Sequence, residues 1–246
     1  MKLTVLGKYG PFPAKHGACS GYLLECGGVT LALDLGNGTF SRLISLIPDL
    51  HIDAILLSHL HYDHMSDMLI LSYALEQFRL RGRKVPTPLT VVSPDTPAEE
   101  YRMLVSTGVF DITPAYDGMR IRFGDVSIAL CRMIHSVPSF SYDITHDNNR
   151  LFYTGDTGWH EDLPEKCKGA DVILADTGFL NADKTMQIAP HLTAGEAGRL
   201  AKLAGAKQLI CTHIWGGGMD NAQLLKEARE FFPDVIIAEE MKPYHI

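Results

Sequence analysis

No stretch of this 246-residue chain holds the roughly 18 consecutive apolar residues that a membrane-spanning helix needs. The start, MKLTVLGKYG, has one lysine and a short apolar run before its first glycine, so it reads as a strand and as neither a signal peptide nor an anchor. Cysteine pairs at CxxC spacing are missing. The five cysteines, Cys19, Cys26, Cys131, Cys167 and Cys211, are odd in number and scattered, which argues against a disulfide framework and favours a reducing, cytoplasmic address. Positive charge is short: 22 Lys and Arg face 29 Asp and Glu, and the net −7 disfavours a tight non-specific grip on nucleic acid. Repeats, low-complexity tracts and linkers are absent, so a single domain over residues 1–246 is expected. What remains is ordinary globular composition, 46% apolar and 21% charged, enough for a sizeable core.

The pattern falls into two similar halves. In the first, KLTVLG, GYLLEC and VTLALD read as strands, with Gly27-Gly28 as a hairpin turn between the last two. A helix is expected over residues 40–47, ending before Pro48. DAILLS is apolar without alternation, as in a strand buried on both faces. An amphipathic segment, MLILSYALEQF, then LTVVS as a strand and a helix over 97–105 complete this half. In the second, MRIRFGDVSIALCRMIH reads as two strands joined at Gly124-Asp125, the second ending at His135. RLFYTGD, DVILADT, KQLICTH and DVIIAEE, the last strand, alternate with helices over 193–204 and 221–231. Thr193 followed by Glu196 spells a capping box. Such an order implies α/β architecture with two central sheets flanked by helices.

The chemistry concentrates in SHLHYDH, residues 58–64, at the mouth of the buried DAILLS strand. A two-residue period puts His59 and His61 on one side, while Asp63 and His64 enter the turn to the next helix and can point elsewhere. Imidazole and carboxylate are good ligands for zinc and related divalent ions, and this split suits two adjacent cations.

HLHYDH matches the HxHxDH signature of the metallo-β-lactamase superfamily, and the chain resembles that superfamily along its whole length. The resemblance implies a four-layer αββα sandwich. It implies that His59, His61 and His135 (RMIHSVP) hold one metal, and Asp63, His64 and His213 (LICTHIW) the other. Asp156 (FYTGDTG) would bridge the two. Two divalent ions per chain are expected, zinc first, with manganese or iron as alternatives. They would share an activated hydroxide whose proton Asp63 accepts or orients.

Other segments resemble the ribonuclease Z branch, which processes tRNA 3′ ends: DLGNGT (34–39) is similar to its DCGEGT loop, HSVPSFSY to its HSVP segment, and HLTAGEAGRLA to its HxTA segment. In that branch the histidine matching His191 donates a proton to the leaving oxygen, with Thr193 as helix cap and local support. The branch usually carries HEAT where this chain has Ala175-Asp176-Thr177-Gly178, so Asp176 alone remains to orient His191. Only about twenty residues separate His135 from Asp156, no room for the long tRNA-gripping arm that bacterial relatives carry there. The expected activity is a small metal-dependent hydrolase of phosphodiesters, with a small-molecule or nucleotide substrate. Alternatives are tRNA 3′ processing, which the missing arm disfavours, and hydrolysis of carboxylic esters, thioesters or lactones. No membrane partner is expected, and a homodimer is allowed because relatives commonly dimerise.

The remaining features carry weaker expectations. The glycines after Trp215 could bring backbone N–H groups near a phosphate or form a plain turn. Cys211 is expected as a buried structural thiol. His16, His51, His146, His160 and His245 are expected on the surface. Phe140, Tyr142 and Trp159 flank metal motifs and are expected in the core, with cleft walls as the alternative.

Overall fold

The computed structural model describes residues 1–185 and 190–246. Its first half runs β1 (Lys2–Gly7), β2 (Tyr9–Gly10), β3 (Gly21–Cys26), β4 (Val29–Leu35), α1 (Thr39–Leu46), β5 (Ala54–Leu56), α2 (Tyr62–Leu80), β6 (Leu89–Ser93), α3 (Ala98–Ser106) and β7 (Phe110–Pro114). The second half runs β8 (Arg120–Phe123), β9 (Val126–Met133), β10 (Ser139–His146), β11 (Asn149–Tyr153), α4 (Leu163–Lys166), β12 (Val172–Asp176), a 3-10 turn (Asn181–Thr185), α5 (Ala194–Ala204), β13 (Gln208–Thr212), β14 (Ile214–Trp215), α6 (Asn221–Arg229), β15 (Val235–Ile237) and β16 (Pro243–His245).

Two seven-stranded sheets result, ordered β16-β1-β3-β4-β5-β6-β7 and β15-β13-β12-β11-β10-β9-β8. Each begins with antiparallel hairpins and continues as parallel strands, β4 to β7 in one and β11, β12, β13 and β15 in the other. Parallel neighbours need crossovers, and the helices supply them. Alternation along each strand then sorts the apolar side chains. Leu3, Val5, Leu31 and Leu33 point from the first sheet onto Leu130, Tyr142, Leu151 and Leu174 of the second. Leu6, Leu23 and Ile55 point the other way, onto Leu43 of α1, Met65, Met68, Leu71 and Leu75 of α2, and Leu104 of α3. Phe152, Ile173 and Leu209 pack on Leu163 of α4, Leu200 of α5 and Leu224 of α6. The molecule is therefore the expected αββα sandwich. Each fully buried leucine contributes about 2 kcal/mol relative to water.

The sequence reading held no strand for β10, which lies between β9 and β11; the other differences are local. The strand VSIALCRM stops at Met133, so His135 stands in the following loop. Asp63 and His64 lie inside the first turn of α2, not in a turn before it. DVIIAEE contributes only Val235–Ile237, and it is not the last strand: the chain closes with β16 paired to β1. The capping box is present, with Thr193 Oγ1 accepting from Glu196 N at 3.2 Å and Glu196 Oε2 accepting from Thr193 N at 3.1 Å. No helix among the described residues is long and apolar enough to cross a membrane.

Candidate metal centre

The parallel strands of both sheets point their carboxyl ends at one edge of the sandwich, where open α/β sheets place their sites. Ser58 and His59 follow β5, Asp156 follows β11, Asp176 ends β12 and His213 follows β13. His61 caps α2, with Asp63 and His64 in its first turn. The bend that delivers them needs room. A side chain at Gly36 would put its Cβ 1.9 Å from Asp63 O, so the loop after β4 lies directly on that turn. His213 adopts φ 53, a left-handed conformation few non-glycine residues take. Its ring lies against Gly10, where an added Cβ would come within 2.0 Å of Nε2.

Two sets of donors face one carboxylate. In the first set, His61 Nδ1 lies 3.0 Å from His59 Nε2 and 3.1 Å from His135 Nε2. In the second, Asp63 Oδ2 lies 3.1 Å from His213 Nε2 and 3.6 Å from His64 Nε2. Asp156 Oδ2 stands between them, 3.6 Å from His59 Nε2, 3.9 Å from His135 Nε2, 3.4 Å from His64 Nε2 and 3.1 Å from His213 Nε2. Each set has ligand atoms close enough together to hold a metal ion. The protonation chemistry fits cations better than hydrogen bonds. His135 Nδ1 donates to the Pro190 carbonyl at 3.0 Å, so its Nε2 turns a lone pair toward His61. His64 Nε2 is buried without a hydrogen-bond partner among the described residues, an unpaired nitrogen that faces Asp63 and Asp156.

The electrostatics separate the sets. Burial holds His59, His61 and His135 below the usual imidazole range. Burial opposes charge on His64 and His213 too, but Asp156 and Asp63 beside both rings, with Asp34 against His64, outweigh it and lift both. Burial would likewise raise Asp156, yet His213, His64 and His59 hold it well below the usual carboxylate range.

Asp34 organises the centre without reaching the ligand atoms, and the sequence reading did not single it out. It accepts from Ser58 N at 2.6 Å, Ser58 Oγ at 2.7 Å, Tyr153 Oη at 2.6 Å and His64 Nδ1 at 2.8 Å. The last bond fixes the His64 tautomer so that Nε2 is free to ligate. Its sequence signals are an acid at the end of the buried run VTLALDL and its place at the head of the DLGNGT segment, which resembles the DCGEGT loop. Beside the centre, His191 Nδ1 lies 2.9 Å from Asp176 Oδ2, and its ring stacks on His213 with centroids 4.9 Å apart. Thr157 N and Gly178 N also bond Asp176, and its Oδ1 is 3.6 Å from His213 Nδ1. Burial pushes His191 down, but Asp176 and Asp156 carry it up to about 9.

All seven expected ligands thus converge, together with His191, Asp176 and, behind them, Thr193 at the start of α5. The other expectations hold except at His146 and His160. Phe140 and Tyr142 lie between the sheets, and Trp159 packs on the second helical layer under Arg199. Cys211 is buried. His16, His51 and His245 are exposed, but His146 and His160 are half-buried. His146, at the end of β10, packs on the Gly27 turn, and His160 Nδ1 bonds Asp162 at 2.6 Å.

Comparison with known proteins agrees with this geometry. A family model described as a β-lactamase superfamily domain matches residues 37–214. A protein named probable metallo-hydrolase YhfI from Bacillus subtilis is 34% identical over 94% of both chains. Its crystal structure, described as a metallo-β-lactamase fold protein, superposes with a TM-score of 0.92 at 30% identity over 99% of this chain and 98% of that one. A ribonuclease Z from Methanopyrus kandleri is 26% identical over 97% of this chain and 95% of its own. The short form of human tRNase Z, 20% identical, shares the fold with a TM-score of 0.76 over 100% and 99% of the two chains. The chain belongs to the β-lactamase superfamily and has the metallo-β-lactamase fold.

Proposed function

We propose that this protein is a dinuclear metal-dependent hydrolase acting on phosphodiesters. The observation that carries the reading is the single oxygen of Asp156 within 4 Å of both imidazole sets. His59, His61 and His135 would hold one divalent ion, Asp63, His64 and His213 the other, and Asp156 both, with zinc favoured by the nitrogen-rich donors. Bound there, two cations would supply Lewis-acid charge and lower the pKa of water. Asp63 orients the attacking water and takes its proton. His191 protonates the leaving oxygen. Asp176 holds Nδ1 of that ring, which leaves Nε2 to carry the mobile proton. The test is metal analysis with turnover of bis(p-nitrophenyl) phosphate beside a lactone and a thioester. We expect about two divalent ions per chain, diester turnover, and a His191→Ala loss of roughly 100-fold in kcat at unchanged metal content. Wild-type turnover by that variant on an ester with a poor leaving group would remove the acid role.

A second reading, tRNA 3′ endonuclease, is favoured by the match to ribonuclease Z along nearly the whole chain. Against it, β10 and β11 are joined by a tight turn at Asp147-Asn148, so no arm extends between His135 and Asp156. A gel assay on precursor tRNA decides between the two.

A further inference from the structure

Two short segments meet at His213. β2 and β14 pair in parallel, Tyr9 beside Ile214 and Gly10 beside Trp215, and Ile214 N donates to Lys8 O at 2.8 Å. Gly10 touches the Nε2 that faces Asp63 and Asp156. Phe12 lies two residues beyond Gly10, and Trp215 two residues beyond His213. Two residues span at most about 7 Å of chain, so both side chains start at the rim of the metal centre. Their rings meet edge to face, with centroids 4.8 Å apart. Both nevertheless stay open to solvent, Phe12 at 43% and Trp215 at 44% exposure.

The pair is held in place by glycines. A Cβ at Gly216 would come 2.1 Å from Phe12 O, and one at Gly217 would come 2.3 Å from Trp215 Nε1. The glycine run after His213 therefore seats an indole and a phenyl ring, and it does so with the backbone fixed by β14. A cavity of about 110 Å³, lined by Lys8, Ile214, Met219 and Asn221, adjoins the indole. Exposed, preordered aromatic rings at the rim of a polar catalytic cluster suit a flat, weakly polar group carried by a substrate whose anionic end sits on the cluster.

We propose that Phe12 and Trp215 form a stacking platform for the base of a nucleoside phosphodiester, setting specificity at the metal centre. The proposal rests on the phosphodiesterase reading above and names its substrate class. Stacking on such a ring tolerates any base, because every base has a π-face. The experiment uses AMP and ribose 5-phosphate as competitive inhibitors of bis(p-nitrophenyl) phosphate turnover by the metal-loaded protein. AMP is expected to bind about tenfold more tightly. Trp215→Leu and Phe12→Leu should each bring the two inhibitors level, whereas Trp215→Phe keeps the preference for AMP. Equal inhibition of the wild type, or an AMP preference that survives Trp215→Leu, overturns the platform. Absence of any diester turnover instead overturns the hydrolase reading, and binding then reports the platform alone. With Trp159→Phe leaving Trp215 as the sole indole of the chain, AMP should quench its fluorescence and ribose 5-phosphate should not. No quenching by AMP ends the proposal.

Discussion

Asp34 shows how much of the centre depends on a side chain that holds no cation. It collects four hydrogen bonds in the dry interior, and it does so at φ 55, a strained backbone angle for an aspartate. Asp34→Asn keeps the shape but places an amide where two acceptor oxygens are needed. Its metal affinity should fall roughly 10- to 100-fold, read by competition with a chelator of known affinity. Protonation separates the two ligand sets in a second prediction. His59, His61 and His135 lie below the ordinary imidazole pKa, so they are neutral at pH 7 and need release no proton to accept a cation. His64 and His213 are raised, so the metal-free protein keeps their protons to higher pH and a cation must compete with them. Binding at the second set should therefore release protons and weaken first as pH falls. Metal titrations at pH 6 and pH 8 should show one site nearly unchanged and the other strengthened at the higher pH. Parallel pH dependence of both sites would contradict this.

At the scale of elements, strong local signals were legible and weak ones were not. Thr193 and Glu196 announced α5 because a capping box is written within four residues. Thr193→Ala removes the acceptor for Glu196 N. It should cost about 1 kcal/mol and lower Tm by about 2–4 °C in a thermal melt. Long apolar strands were equally plain. β2 and β14, two residues each, have no period to detect, and they exist because Ile214 and Tyr9 are brought together by the rest of the fold. β7 reads FDITP, a short edge strand that packs only Phe110 and Ile112 on the core and exposes Asp111, Thr113 and Pro114. β16 is three residues long and is defined only by its pairing with β1. The close packing of α5 on α6 was hidden too. Gly198 passes so near Ala228 that a Cβ would lie 2.2 Å from its carbonyl oxygen. Gly198→Ala should push the helices apart, and circular dichroism melts should show a larger loss than for Thr193→Ala.

For the whole molecule, the layer of apolar side chains between the sheets joins the two halves, and the candidate metal ligands come from both. We expect one cooperative unfolding transition over residues 1–246, since neither sheet can expose that layer without a large hydrophobic cost. Removing the cations should lower its midpoint. A ligand present at a hundred times its Kd stabilises by about 2.7 kcal/mol, so chelation should reduce Tm by several degrees. Readdition of zinc should restore it. Two separate transitions, or a midpoint indifferent to chelator, would contradict these expectations.

By itself the sequence determined the class of fold and marked out the candidate ligands. Part of the candidate ligand set is a local signal: His59, His61, Asp63 and His64 lie within six consecutive residues, and a strand or helix period is written in neighbouring side chains. Only the tertiary structure decided which distant groups meet. Asp34 reaches Ser58, His64 and Tyr153, and Phe12 meets Trp215 across some two hundred residues of sequence. Such contacts leave no mark on the residues beside them in the chain, because packing of the two sheets, not local preference, brings them together.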